Sequence, residues 1–542
     1  MSKARAVRPE LLTLLVSLAF LLFYNLPLWQ RLLAITPGGW QGLGMMLAVG
    51  LMIAAIFNLA LTLLAFRWLL KPALTLLILA AAGTTYFMTQ YGVLMDVGML
   101  RNVMQTNPAE VADLLSPKLA VYLALLGALP VWLLWRTPVR YRPWPRELLS
   151  KLLVALACLA LLAGVALANY QGLSSLFRNN KELRLQVTPS NLVGAAIGYA
   201  KGQAQAASQP LRPIAVDARR AALWQGHARK SLTVLVVGES ARAQNFGLNG
   251  YARETNPRLK AEEGLINFSN VHSCGTETAV SVPCMFSNLG RADYSDARAR
   301  TQEGLLDVLQ RAGLRVLWRD NQSGCKGTCD RVAFQDLSES KDPALCAGGE
   351  CHDEILLRDL QAFIDGLQQD TVLVLHQMGS HGPAYYRRST PEFQTFSPTC
   401  NSNQIQDCSH EQLVNTYDNS ILYTDAMLDA TIKLLQQYDD RFNTALVYLS
   451  DHGESLGENG MYLHGTPYVF APSQQTHVPF LMWMSADYQR NFGVDRQCLN
   501  ALAEKDDVSQ DNLFHTLLGM LNVQSREYQS QLDILQRCRN AA

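Results

Sequence analysis

An excess of charge of either sign is missing from this sequence. Its 46 Lys+Arg and 46 Asp+Glu leave no formal net charge, which excludes a basic nucleic-acid binder at the level of the whole chain. Charged residues are scarce altogether, 17% against 49% hydrophobic, and that excludes a largely disordered chain. Cysteine is almost absent from the N-terminal part, where Cys158 is the only one before Cys274. Acidic residues are nearly absent there too: residues 1–170 hold 5 Asp+Glu against 13 Lys+Arg, a net of +8, while the rest hold 41 against 33, a net of −8. The 542 residues exceed the roughly 100–200 of one ordinary domain, so two physically different parts are joined.

Long apolar runs fill the first part: Leu11–Leu33, Gly42–Phe66, Ala73–Leu94, Leu119–Trp135 and Leu152–Ala168. Each is near the ~20 residues a helix needs to cross ~30 Å of hydrocarbon. One such run could be a signal peptide or a buried core helix, but five in succession predict a five-helix transmembrane domain over residues 1–168. Basic residues set its orientation. Lys3, Arg5 and Arg8 precede the first run, Arg67 and Lys71 separate the second from the third, and Arg136, Arg140, Arg142 and Arg146 separate the fourth from the fifth. By the positive-inside rule these segments and the N-terminus are cytoplasmic, which puts everything after Ala168 on the outer side. Ten cysteines beyond the membrane fit that reading as five disulfides: Cys274, Cys284, Cys325, Cys329, Cys346, Cys351, Cys400, Cys408, Cys498 and Cys538. Sequence does not fix their connectivity; pairing between nearest neighbours is the expectation, and a zinc-ribbon use is disfavoured by the irregular spacing. Residues 169–230, rich in Gln, Ala, Asn and Ser, read as interfacial helices and a linker, with a plain flexible tether as the alternative.

From residue 231 to 542 short β-branched runs alternate with helical patterns. Leu232–Val237, Leu314–Trp318, Thr371–Leu375, Ala445–Leu449 and Phe480–Met484 read as strands; Gly304–Ala312, Asp353–Gln368 and Leu413–Gln437 read as helices. The alternation predicts an α/β/α domain around a mostly parallel sheet, whose sites lie beyond the carboxyl ends of its strands. Those ends carry Glu239, His376 with His381, and Asp451-His452 followed by His464. Taken singly, a carboxylate there is more often a cap and a histidine more often a hydrogen-bonded surface residue. Several together at one sheet edge suit zinc. Between Cys274 and Cys284 lie Thr276 and Thr278, ahead of a segment able to open a helix. There a hydroxyl beside a metal becomes a nucleophile next to a phosphate-binding helix terminus, or a threonine merely caps the helix.

The segments GES, CGTETAVSVPCMFS, SHGP and SDHGESLGENGMYLHG, with the apolar N-terminal part, are similar to the phosphoethanolamine transferases of the alkaline phosphatase/sulfatase superfamily. Within them the lipid A group, the EptA and mobile colistin resistance enzymes, is the nearest match. The resemblance implies an alkaline-phosphatase-like catalytic domain in the periplasm and a multi-pass anchor in the bacterial inner membrane. It also implies transfer of phosphoethanolamine from phosphatidylethanolamine to lipid A phosphate through a phosphothreonine, and with it polymyxin resistance. Thr278 then matches the nucleophile, and Glu239, Asp451 and His452 match the ligands of one tight zinc that the Thr278 oxygen completes. His381 and His464 match residues lining the substrate side that can hold a second, weaker zinc and act as acid or base; Lys326 matches a basic residue near the transferred phosphate. Asn102, Thr106 and Glu110, in RNVMQTNPAE, match residues that bind the lipid head group. A monomer is expected, with no nucleic acid as partner.

Asn102, Thr106 and Glu110, spaced i, i+4 and i+8, would form one polar stripe on a continuous helix, but Asn107-Pro108 argues against continuity, because proline inside a helix costs ~3 kcal/mol or more; a break near Asn107 is expected, with Asn107 as N-cap of a new helix that Pro108 opens. A sulfatase reading fails on sequence. Ser281-Val282-Pro283-Cys284-Met285 has Met where the aldehyde-forming motif needs Arg. Transfer of phosphoethanolamine or phosphoglycerol to another envelope acceptor, such as a core sugar, stays open.

Overall fold

The computed structural model describes residues 6–106, 108–221 and 229–539; Lys3, Arg5 and Asn107 lie outside the described residues, as does part of the expected linker. The chain divides into two compact units. One comprises the residues up to Leu100 together with Leu115–Gly198, the other Arg101–Leu114 together with Tyr199 onward.

The first unit is all helical. Trp40–Leu63, Leu70–Tyr91, Pro117–Arg136 and Trp144–Ala168 are each long and apolar enough to cross a membrane. The first expected span is not one straight helix: Pro9–Phe23 and Leu26–Ile35 meet at a bend of 58°, so there are four such helices among the described residues, or five if the bent pair is one span. The cause is local. Pro27 in the first turn of the second piece has no N–H to offer the turn before it. The fully buried Asn25 takes over at the break, donating to the carbonyls of Phe20 (2.8 Å) and Thr188 (2.7 Å) and accepting from the Thr188 N–H (2.8 Å). A comparable repair lies in Pro117–Arg136, which passes through a π-helical turn at Leu123–Ala128. Pro130 cannot donate to the Leu126 carbonyl, and the Tyr24 hydroxyl does so instead. After Ala168 come Tyr170–Asn179, a 3-10 turn at Lys181–Gln186, and the long helix Ser190–Ser208.

The second unit is built on a seven-stranded sheet. In chain order its strands are β1 (Lys230–Gly238), β2 (Ile266–Phe268), β3 (Arg315–Asp320), β4 (Ala333–Asp336), β5 (Thr371–His376), β6 (Phe442–Ser450) and β7 (Phe480–Met484). Their order across the sheet is β2-β7-β6-β1-β5-β3-β4. β6, β1, β5, β3 and β4 run parallel, and β7 is antiparallel to β6 and to β2. β1 is buried along its length except at Lys230, as a strand covered on both faces must be. On one face Leu235, Val237, Val316, Trp318, Val372, Val374, Ala445 and Val447 pack with the helices Leu305–Arg311 and Asp511–Met520. Helix His410–Gln436, capped by the Ser409/Gln412 box, packs against β6. Five disulfides join neighbours in sequence: Cys274–Cys284, Cys325–Cys329, Cys346–Cys351, Cys400–Cys408 and Cys498–Cys538. Cys158, buried in the first unit, is free.

Candidate active site

β1 lies between β5 and β6, where the connections leave toward opposite edges of the sheet, and its carboxyl end is therefore the place for a site. Register sets the candidate ligands side by side. Gly238 pairs with Ser450 and Val237 with His376, so Glu239 and Asp451, each one residue beyond its strand, emerge next to one another. Gly379, at φ +53°, lets the next turn approach closely: a Cβ there would stand 2.5 Å from the Glu239 carbonyl oxygen, to which the Ser380 N–H donates at 3.0 Å.

Glu239, Asp451 and His452 are fully buried, with one candidate ligand atom from each all within 4.8 Å of one another. His452 Nε2 is 3.3 Å from Glu239 Oε1 and 3.3 Å from Asp451 Oδ2. His452 Nδ1 faces the Gly453 carbonyl at 2.8 Å, which assigns the ring hydrogen to Nδ1 and turns the Nε2 lone pair toward two carboxylates. Asp451 Oδ2 accepts no hydrogen bond among the described residues. A buried lone pair and an unsatisfied carboxylate oxygen converging on one point are repulsive alone and fit a divalent cation with a preference for nitrogen and oxygen donors. The electrostatics agree. Burial pushes the Glu239 carboxyl up, but His452, His381, His464 and the Ser240 hydroxyl pull it well below the usual range; burial and the Glu239 charge push Asp451 up.

The loop from Cys274 to Cys284 delivers the hydroxyl. Helix Thr278–Met285 starts after Glu277, whose backbone is extended, and Thr278 is its first residue. Thr278 Oγ1 donates to Glu239 Oε2 at 2.9 Å and lies 3.3 Å from His452 Nε2. Thr276 is spent elsewhere, donating to the Thr466 carbonyl at 2.7 Å. The two threonines thus divide the roles, one at the metal-fitting cluster and one bracing the loop.

Around this centre stand the histidines. The His452 and His464 rings are 4.4 Å apart and the His381 and His464 rings 5.4 Å. His464 Nδ1 pairs with Glu454 Oε2 at 3.2 Å; burial pushes its pKa down, and Glu454 more than offsets this, raising it to about 9. His381 has no such carboxylate partner among the described residues, and burial lowers it to about 3. Lys326 is lowered by burial against the opposing pull of Glu110, Glu239, Asp320 and Asp451. Glu110 is raised by burial and held back by Lys326. A cavity of about 490 Å³ opens beside helix Thr278–Met285, walled by Ala279, Phe286, Gln105, Tyr294 and Lys326 among others.

The segment around Asn102 divides its work. Helix Val97–Gln105 ends and Pro108–Leu114 begins anew, so the polar stripe is interrupted. Asn102 Nδ2 donates to Glu277 Oε2 at 2.7 Å, and the Thr106 hydroxyl donates back to the Asn102 carbonyl at 2.6 Å. Sequence reasoning missed three residues. Gln322 donates to Glu239 Oε2 at 2.7 Å. Gln510 donates to the carbonyls of Ser450 and Asp451 and accepts from the Cys274 N–H, tying the hydroxyl loop to the metal-fitting strand end. Glu454 sets the charge of His464. Glu454 was open to inspection in SDHGES; neither glutamine carries a local signal.

The sequence pattern described as phosphoethanolamine transferase EptA/EptB matches residues 53–204, and that described as sulfatase matches residues 231–523. The chain is 48% identical over 492 residues to phosphoethanolamine transferase EptA of Escherichia coli K12, covering 90% of this chain and 89% of that one. The chain belongs to the EptA family of phosphoethanolamine transferases. A second relative, phosphatidylethanolamine transferase Mcr-1 of Escherichia coli, is 38% identical over 531 residues, 96% of each chain. The solved structure of the integral membrane lipooligosaccharide phosphoethanolamine transferase A of Neisseria meningitidis superposes with a TM-score of 0.96 at 37% identity, covering 99% of this transferase and all of that chain. The fold is accordingly a membrane-helix region plus an alkaline phosphatase/sulfatase-like domain, and the transferase is an enzyme.

Proposed function

We propose that this transferase moves phosphoethanolamine from phosphatidylethanolamine to a phosphate of lipid A, with Thr278 as the covalent carrier. The observation that carries the reading is the placement of the Thr278 hydroxyl, 2.9 Å from Glu239 and 3.3 Å from His452 at the start of a helix. Glu239, Asp451 and His452, with Thr278 Oγ1, are the residues to hold one tight zinc, and His381 and His464, the latter only when it has given up its proton, a second, weaker one. Bound zinc supplies a lowered hydroxyl pKa and positive charge against the phosphoryl oxygens.

In the first step Thr278 Oγ1 attacks the donor phosphorus in line. The Thr278 hydroxyl proton passes to solvent, the Thr278 O–P bond forms, the diacylglycerol O–P bond breaks, and the leaving oxygen takes a proton. His464, held protonated by Glu454, is the acid suited to give it. In the second step an acceptor phosphate oxygen gives its proton to His464 and attacks the phosphothreonine; the new O–P bond forms as the Thr278 O–P bond breaks, and Thr278 Oγ1 takes a proton from solvent. Lys326 and the N–H groups at the start of helix Thr278–Met285 offset charge on the phosphoryl oxygens in both steps. Asn102 acts on the head-group side through Glu277, and Thr106 braces Asn102. Glu110 meets the donor's ammonium.

The same reading makes residues 1–168 a five-span anchor in the inner membrane, the bent pair Pro9–Ile35 counting as the first span. The N-terminus is then cytoplasmic, residues 169–230 are interfacial, and residues 231–542 form a periplasmic domain working as a monomer. Loss of lipid A negative charge gives polymyxin resistance. Mass spectrometry of lipid A from cells with and without the protein tests it. A phosphoethanolamine increment is expected, and an increment confined to core sugars would redirect the acceptor.

A further inference from the structure

Lys326 sits in an unusual backbone. It is not glycine, yet its φ is +53°, flanked by Gly324 at +84° and Gly327 at +92°. A left-handed conformation is disfavoured for a lysine and persists only where surrounding structure imposes it. A covalent ring encloses this turn. Lys326 lies inside the ring closed by Cys325–Cys329, separated by 4 in sequence, the tightest of the five bridges. Both sulfurs are buried in the domain core, and the Thr328 N–H donates to the Cys325 carbonyl at 3.0 Å across the ring. The ring is thus anchored on its sulfur side. On its other side Lys326, Gly327 and Thr328 line the cavity that Ala279 also lines. The Lys326 Nζ is fixed by the Ser323 carbonyl (2.9 Å) and hydroxyl (2.6 Å), within the field of Glu239 and Asp451.

A bridge closing so short a loop adds least to global stability in the chain-entropy account, which grows with loop length. Its effect is local. We propose that the Cys325–Cys329 disulfide is a positioning element for the transfer reaction, imposing the left-handed turn that delivers the Lys326 ammonium to the phosphoryl site. This rests on the role given to Lys326 above. Opening the bridge frees the turn to relax to right-handed or extended backbone, and the ammonium moves with it.

The test uses the full-length protein in detergent with phosphatidylethanolamine as donor and lipid A as acceptor. Two unbridged variants are compared with the parent, Cys325→Ser/Cys329→Ser and the apolar Cys325→Ala/Cys329→Ala, each with and without Lys326→Ala; Cys400→Ser/Cys408→Ser is the control. The expected result is unchanged zinc content and unfolding transition, a loss of transfer of about tenfold or more in both unbridged variants, and no loss in the control. Lys326→Ala, costing about 10²-fold in the bridged enzyme, should cost far less once the bridge is open, a non-additivity that a merely structural bridge would not produce. Unchanged transfer in both unbridged variants, the full Lys326→Ala factor in their background, or loss of zinc and folding in both would overturn the positioning role and leave Lys326 in place. Lys326→Ala without effect in the bridged enzyme would overturn the role of Lys326, and this inference with it.

Discussion

The two units put their long-range hydrogen bonds to different uses: the helical unit reaches across the chain at its helix breaks, Asn25 to Thr188 and Tyr24 to Leu126, and the α/β unit does so at its candidate site. In the helical unit a hydroxyl commonly turns back on its own helix: Ser17 donates to the Thr13 carbonyl at 2.7 Å, Thr75 to Lys71 at 2.8 Å and Thr89 to Thr85 at 2.6 Å, all four residues apart. In the α/β unit the decisive bonds are remote. Thr278 reaches Glu239 across 39 residues, Gln510 reaches the Asp451 carbonyl across 59, and the Tyr417 hydroxyl reaches the Ser240 carbonyl across 177. A helix in an apolar surrounding closes its hydrogen bonds within itself and asks of its neighbours mainly packing. A parallel sheet gathers strand ends from the whole domain at one edge, so its chemistry is assembled from distant segments. Each unit should therefore fail separately, and by a different kind of substitution.

The largest separation is expected at Thr278, the proposed nucleophile. Thr278→Ala should lower transfer by about 10⁴-fold or more while the unfolding transitions of both units stay in place. Peptide mass spectrometry of the parent enzyme under turnover should find the phosphoryl adduct on Thr278; an adduct on Thr276 would contradict the division of roles seen in the loop. Next comes the metal-fitting cluster. Asp451→Asn or His452→Ala should bring zinc content, read by elemental analysis, to background and lower the unfolding temperature of the α/β unit alone. Metal that survived both substitutions would mean a different ligand set.

Covalent staples sharpen the contrast further. The Cys498–Cys538 bridge spans a sequence separation of 40. Removing it as Cys498→Ser/Cys538→Ser should cost the α/β unit about 4 kcal/mol in the chain-entropy model and the helical unit nothing. Asn25→Ala reverses the direction. It removes the side-chain partner of the Thr188 carbonyl and N–H at the bend, should destabilise the helical unit by about 1–3 kcal/mol, and should leave cleavage of a small soluble phosphate ester unchanged. The smallest effect is in pH. Burial lowers His515 from its ordinary 6.5 to about 4, and its Nδ1 accepts the Gln529 N–H at 3.1 Å, a bond that protonation breaks. Its contribution is complete above pH 6.5 and disappears as pH falls toward 4. Thermal unfolding across that window should show a decline that His515→Gln flattens.

The legible parts of the sequence divide in the same way. The apolar runs from Gly42 to Ala168 appear as helices because hydropathy and length are properties of contiguous residues, and the bend at Asn25–Pro27 escaped because hydropathy is blind to a missing N–H. In the sheet, runs such as Leu232–Val237 and Thr371–Leu375 stand out because strands buried on both faces are continuously apolar. Ile266–Phe268 has only three residues, and Ala333–Asp336 is exposed throughout, so neither shows a period to detect. Phe480–Met484 was legible as a strand, but its antiparallel direction is set by its pairing with β6.

By itself the sequence determined what short-range chemistry determines. It set which segments are apolar enough for a membrane, which of the longer apolar runs are strands, that Thr276 and Thr278 stand within a short cysteine loop ahead of a segment able to open a helix, and that carboxylates and imidazoles come after the strands. Tertiary structure decided which of those groups meet. Sheet order puts the ends of β5 and β6 on either side of β1, register sets Glu239 beside Asp451, Thr466 claims Thr276 and leaves Thr278 at Glu239, and Gln322 and Gln510 enter from segments with no motif of their own. The physical reason is that a side chain's propensity acts over a few residues. A reacting group is defined by distances of about 3 Å between atoms, and those distances exist only after strands far apart in the chain have paired.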